Sequence, residues 1–258
     1  MNKYRLFWIV VFVIVLVLSA CSSDVSEETG AIEPEPTAVA NVPEQPEEKA
    51  PEEKVPVEPP EVSTGKNLFD AAAMVENLDD FVLRREDMPN QYKIATDGEQ
   101  HLSNLKVINL VGEVDGKRYL AATTRMDGWS MELERVKKED LIPYTIMSQI
   151  EVFETSEGAQ TAFGPDWFHA YTDEERKPNW VEDGCDIGDA CVMYYYEKLD
   201  PTTELTTLQY EVAFVYNNAL AQVMGRGLDF DMKPDYVVEA AEVLYEKIDA
   251  GPMVVAQK

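Results

Sequence analysis

Positive charge is what this 258-residue sequence has least of. Its 22 Lys and Arg stand against 49 Asp and Glu, a formal net charge of −27 at pH 7. Nucleic-acid phosphates and anionic lipid surfaces repel such a chain, which excludes nucleic acid as a partner. Histidine is nearly missing, with only His101 and His169, far apart in sequence. Three cysteines are too few for a fold built on disulfides. Gly-x-Ser-x-Gly, the Walker loop, Gly-x-Gly-x-x-Gly and His-Glu-x-x-His are all absent, so no motif points to a nucleophile elbow, a nucleotide, a cofactor or catalytic zinc. The expectation is a protein that is not an enzyme and has no cofactor. The alternative is a cell-envelope hydrolase working with a carboxylate pair, chemistry that needs no motif beyond two acids meeting in a cleft. What is present, 45% hydrophobic and 10% aromatic residues, is enough for a folded core.

The N-terminus has the order of an export signal. Lys3 and Arg5 precede an uncharged apolar run from Leu6 to Ala20. That run is short of the ~20 residues that span a bilayer as a helix and suits a signal-peptide core. It ends in Leu18-Ser19-Ala20-Cys21. This resembles the lipobox of bacterial lipoproteins. The resemblance implies cleavage after Ala20, diacylglycerol on the Cys21 sulfur and usually a further fatty acyl chain such as palmitate on the new amino terminus. Two or three acyl chains make a stable anchor where one is marginal. It also implies a lipid-anchored location on a bacterial cell membrane, with the domain facing out of the cytoplasm. Ser22 and Ser23 follow, not the Asp that tends to retain lipoproteins in an inner membrane.

Residues 21–65 read as the lipidated cysteine and a tether. Ser22 to Gly65 holds eight of the fifteen prolines, twelve acidic and two basic residues, and no aromatic. Such a composition cannot bury enough apolar surface to offset ordering entropy and predicts disorder. Its reach lies between about 35 Å as a coil and roughly 130 Å as polyproline II.

Residues 66–258 read as one globular domain with 18 basic and 37 acidic residues, net −19. Asn67 to Leu83 carries a helical apolar stripe, Leu68, Ala71, Ala72, Val75, Leu78 and Val82. Asp115-Gly116 and Asp127-Gly128 are hairpin-type dipeptides between apolar segments, and they predict a meander of strands Leu105–Val114, Lys117–Met126 and Trp129–Val136. A strand Tyr144–Thr155 leads to a helix capped by Ser156 and stopped at Gly164-Pro165. Cys191–Lys198, Leu208–Tyr216 and Ala219–Met224 continue the sheet, the last two as a hairpin turning at Asn217-Asn218. In Leu208–Tyr216, Leu208, Tyr210, Val212, Phe214 and Tyr216 alternate with Gln209, Glu211, Ala213 and Val215, the period of a half-buried strand. A closing helix begins at Pro234. The fold class is α+β: an antiparallel β-sheet (meander plus C-terminal hairpin) with N-terminal, middle and C-terminal helices. The stretches Glu86–Tyr92 and Asn217–Val223 are loosely similar to segments of uncharacterised exported bacterial lipoprotein domains, with Gln91 and Asn217 standing where those have glycine.

Past an export signal the compartment is oxidising, so Cys185 and Cys191 are predicted to form a disulfide. Their spacing is not the Cys-x-x-Cys of redox enzymes. Asp183, Asp186 and Asp189 in the same loop are calcium candidates by composition, but the EF-hand spacing is missing, so no metal is expected. Trp167, Phe168, Tyr171 and Trp180, in a stretch where Gly164-Pro165 and Pro178 break regular structure, read first as core and second as a surface for stacking on a ligand. The expected role is binding of a small ligand or an envelope protein.

Overall fold

The computed structural model describes residues 68–172 and 176–253. The export signal, lipobox and tether lie outside the described residues. The chain enters at Phe69, whose backbone bridges that of Met253 near the other end of the chain. Asp70 caps α1 (Ala71–Val75), its carboxylate accepting from the Ala73 N–H at 3.1 Å. The helix stops at Glu76, and Asn77 leads into a single 3-10 turn, Leu78–Phe81, so the expected helix through Leu83 is broken in two.

Seven strands form one antiparallel sheet in the order β1-β2-β3-β7-β6-β5-β4. They are β1 (Tyr92–His101), β2 (Arg125–Arg135), β3 (Thr145–Phe153), β4 (Asn179–Trp180), β5 (Ala190–Leu199), β6 (Thr206–Tyr216) and β7 (Ala219–Leu228). The remaining helices are α2 (Asn104–Val111), α3 (Glu113–Thr123), α4 (Ser156–Phe163), α5 (His169–Thr172) and α6 (Pro234–Asp249). The α+β class and the C-terminal hairpin β6–β7 are as expected, with Asn217 left-handed in the turn (φ 54°).

The meander exists, but from different residues. Both segments expected to be its first two strands are helical: α2 and α3 occupy Leu105–Val114 and much of Lys117–Met126. Ser103 caps α2 by accepting the Lys106 N–H. Gly116 is not a turn residue. It lies inside α3, where a Cβ would sit 2.7 Å from Ile108 Cα, so its bare backbone lets the two helices touch. Asp127-Gly128 lies within β2, with Asp127 accepting from its neighbour's N–H and pairing with His101 at 2.8 Å. The cap of α4 is Thr155 rather than Ser156, its hydroxyl oxygen accepting from Gly158 N–H at 3.0 Å.

Helices pack on both faces of the sheet, on the second over part of its area. On the first, Met131, Leu133, Ile146, Ile150, Val212, Phe214 and Val223 meet Val237, Ala241, Leu244 and Ile248 of α6 and Met74 of α1. Each buried Val, Leu or Ile contributes about 1.5–3 kcal/mol. On the second face, Phe153, Ala213, Val215 and Leu220 pack under Ala159, Ala162 and Phe163 of α4, with Phe168 and Tyr194 beside them. β6, expected to be half-buried, is therefore covered on both faces. Gln209, Glu211, Ala213 and Val215 are all buried.

Candidate functional site

Strand register builds the second face row by row, because alternate residues share a face. One row runs Gly128, Glu151, Leu220, Val215. The next is Ser130, Gln149, Gln222, Ala213, and then Glu132, Met147, Met224, Glu211, Tyr194. The last is Glu134, Thr145, Arg226, Gln209, Tyr196. The first row lies in the helix-covered half. Beyond it, on β2, β3 and β7, the side chains Glu132, Met147, Gln149, Gln222, Met224 and Arg226 form a half-buried strip of amides, thioethers and charge. Burial raises the Glu132 carboxyl, nearby Glu134 raises it further, and Arg226 opposes both. Glu134 is itself paired to Lys93 at 2.7 Å. The Gln222 amide can donate and accept at once, and Gln149 keeps its carbonyl and one amide hydrogen beside its bond to Glu151.

At the β5–β6 end of the strip the polar groups are bound to one another. Tyr194 donates to Glu211 Oε2 at 2.6 Å, and Gln209 Nε2 donates to Oε1 at 2.5 Å. His169 Nε2 lies 3.1 Å from the same Oε2 and 2.8 Å from the Tyr194 hydroxyl. Burial pushes the Glu211 carboxyl up, but the His169, Tyr194 and Gln209 hydrogen bonds and the His169 charge outweigh it and hold it below the usual range. Tyr194 is pushed well above the ordinary phenol value by burial, and further by Glu211. A carboxylate fixed as the anion by these partners is a weak base, and the cluster acts as a latch between α5 and the sheet.

A second buried cluster holds the α2–α3 hairpin. Arg125, its side chain fully buried, reaches Glu151 Oε2 at 2.6 Å, Asn104 Oδ1 at 2.7 Å and the Leu102 carbonyl at 2.7 Å. Tyr119 donates to the same Glu151 oxygen at 2.8 Å and Gln149 to the other at 2.9 Å.

The residues singled out in the sequence scatter. Phe168 is core, in contact with Phe163, Tyr194 and Tyr171. Tyr171 and Trp180 stack with centroids 5.0 Å apart and are half-buried against that core. Trp167 packs on Tyr119 with the Arg118 guanidinium over its ring. These four do not form one exposed platform. Cys185 and Cys191 are bonded, with Cα atoms 6.0 Å apart. Asp183 and Asp186 are exposed, while Asp189 accepts the Asn217 N–H at 2.7 Å. Among the described residues no three acidic, histidine or cysteine side chains gather as a metal site. Sequence reasoning missed Gln209 and Glu211. The available signal was that they share a strand face with Ala213 and Val215, an apolar pair that needs cover.

No helix among the described residues is long and apolar enough to cross a membrane. No protein-family model matches the chain and no curated protein matches it. Among solved structures, the extracellular domain of PknH from Mycobacterium tuberculosis is similar with a TM-score of 0.37 and 12% identity, over 67% of this chain and 96% of that one.

Proposed function

We propose that this chain is an exported lipoprotein, anchored through Cys21, whose domain binds a ligand without transforming it. The anchor rests on the sequence alone: a charged start, an apolar run, Leu18-Ser19-Ala20-Cys21, then an acidic Pro-rich stretch. Binding rests on one structural observation, the half-buried strip Glu132, Met147, Gln149, Gln222, Met224 and Arg226. Its amides and apolar thioethers suit a largely neutral, polar ligand laid flat on the sheet, such as a sugar or peptide unit of the envelope. The buried ionic clusters beside it support binding over catalysis, since their carboxylates are held by internal donors.

Two measurements test this. Protein extracted from membranes with detergent should carry acyl chains on an N-terminal Cys21, and the chain made from residue 21 onward with Cys21→Ser should be soluble; an unacylated or uncleaved N-terminus defeats the anchor. The soluble Cys21→Ser mature chain, titrated with neutral cell-wall oligosaccharides and muropeptides, should bind one class, with Gln149→Ala and Gln222→Ala each weakening it tenfold or more. Binding unchanged in both variants removes the strip from the reading.

One observation favours a second reading, a hydrolase. Burial and Glu134 raise the Glu132 carboxyl, and Glu134 lies two residues along on the same strand face, so two acids share one face as carboxylate-pair chemistry needs. Turnover of the same oligosaccharides with a bell-shaped pH profile, abolished by Glu132→Gln, would establish it.

A further inference from the structure

The two ends of the sheet differ. At one, Asn218 Oδ1 accepts the Phe69 N–H at 3.0 Å and its amide donates to the Phe153 carbonyl at 2.8 Å. The chain therefore enters the domain beside the β6–β7 turn. At the other end lie the β2–β3, β5–β6 and β7–α6 loops, about 30 Å away by the length of the central strands. Strands β2, β3, β7, β6 and β5 are consecutive neighbours, so these loops are too. They are also tied together. Arg135 Nη1 joins the Asp140 and Ile142 carbonyls of the first loop to Asp231 of the third at 3.0 Å. Asp229 N–H donates to the Thr206 carbonyl beside the second.

Five large apolar side chains stand out from this end: Val136, Leu141, Leu199, Leu205 and Phe230, between 43 and 68% exposed. Only four other large apolar residues among those described are comparably exposed, and they are spread over β1, α2, α3 and the C-terminal bridge. An apolar group of this kind, ringed by charge, has the anatomy of a protein interface. The three loops, 136–144, 199–205 and 229–235, hold seven acidic and three basic residues, on a domain of net −19.

We infer that this end of the domain docks a protein partner whose own apolar patch is rimmed by Lys and Arg. Charge selects the partner. A second acidic copy is repelled, and a basic rim is attracted by both the loops and the wider field of the domain. Charge also repels an anionic lipid surface, and with the anchor proposed above the chain attaches at the opposite end, so these loops are the part farthest from the point of attachment. That orientation rests on the anchor reading; the contact itself does not, and its test uses the unlipidated chain.

The probe is an amphipathic helical peptide of Leu and Lys, with a Leu/Glu peptide of the same pattern as control, titrated into the Cys21→Ser mature chain. The Leu/Lys peptide should bind with salt-dependent affinity and protect amides in 136–142, 199–205 and 229–233 from hydrogen exchange, and the control should not. Phe230→Ser and Leu141→Ser, each at an exposed side chain and with an unchanged melting temperature, should each weaken binding tenfold or more. Protection spread over the acidic surface without these loops, or undiminished affinity in both variants, overturns the proposal. So does concentration-dependent self-association without peptide that Phe230→Ser abolishes, since it assigns the surface to a second copy.

Discussion

Replacing Arg125 by methionine keeps the length of the side chain and removes its charge and all its donors. The guanidinium is fully buried and faces Glu151, Asn104 Oδ1 and the Leu102 carbonyl. Without it Glu151 remains a largely buried anion (its side chain is 14% exposed) with only Tyr119 and Gln149 donating to it. Removing one partner of a buried pair costs about 3–5 kcal/mol because the other charge is stranded. Against a typical domain stability of about 5–15 kcal/mol that is a large fraction, and it corresponds to a melting temperature lower by about 6–20 °C. The cost is not the worth of the pair. Arg125→Met with Glu151→Leu removes both charges and should recover at least about 2 kcal/mol of the summed single losses. Urea titrations of the four proteins give the cycle, and hydrogen exchange should show α2 and α3 losing protection first in Arg125→Met. A loss below about 1 kcal/mol in the single variant, or strictly additive losses in the double, would refute the assignment of this pair as the clasp of the hairpin.

Glu132 titrates in the folded chain above its ordinary value, so the unfolded chain releases this proton first and stability falls as pH climbs above the usual glutamate range. Glu132→Gln should match the wild type at acidic pH and exceed it at pH 7 in urea midpoint; an equal difference at both pH values contradicts the shift. Cys185→Ser with Cys191→Ser reopens a seven-residue loop and should cost about 2.4 kcal/mol by chain entropy, a loss that reductant alone reproduces in the wild type. At Gly158 an added Cβ would lie 2.1 Å from the Thr123 carbonyl oxygen and 2.8 Å from Thr124 Oγ1. Gly158→Ala should therefore force α4 from α3 and destabilise by about 1–3 kcal/mol, whereas a neutral result in thermal melts would mean the two helices separate freely.

The strands that alternate cleanly were legible in the sequence, and the hairpin β6–β7 with Asn217-Asn218 was among them. The segment 104–123 was not, because two local signals competed. Asp115-Gly116 is a strong turn dipeptide, yet Leu105, Ile108 and the Ser103 cap fit a helix, and what decided between them was tertiary: Gly116 fits against Ile108 only when both segments are helical. The partners of Glu211 were beyond local reasoning for a related cause. Tyr194 lies 17 residues away and His169 lies 42 away, and nothing in either segment names the acid it meets. A strand face that opens with Gln209 and Glu211 reads as half-exposed until its cover is known. Here the cover was visible as the aromatic stretch from Phe163 to Trp180, and its need for a floor was visible in Ala213 and Val215, but the two could be joined only by register. That register separates the two kinds of polar residue on this face. Where cover descends, Gln209 and Glu211 are consumed by internal donors and acceptors. Where it stops, the same alternation leaves Gln222 and Glu132 half-buried, with Gln149 holding Glu151 by one amide hydrogen, and the proposed ligand would lie on that side of the boundary.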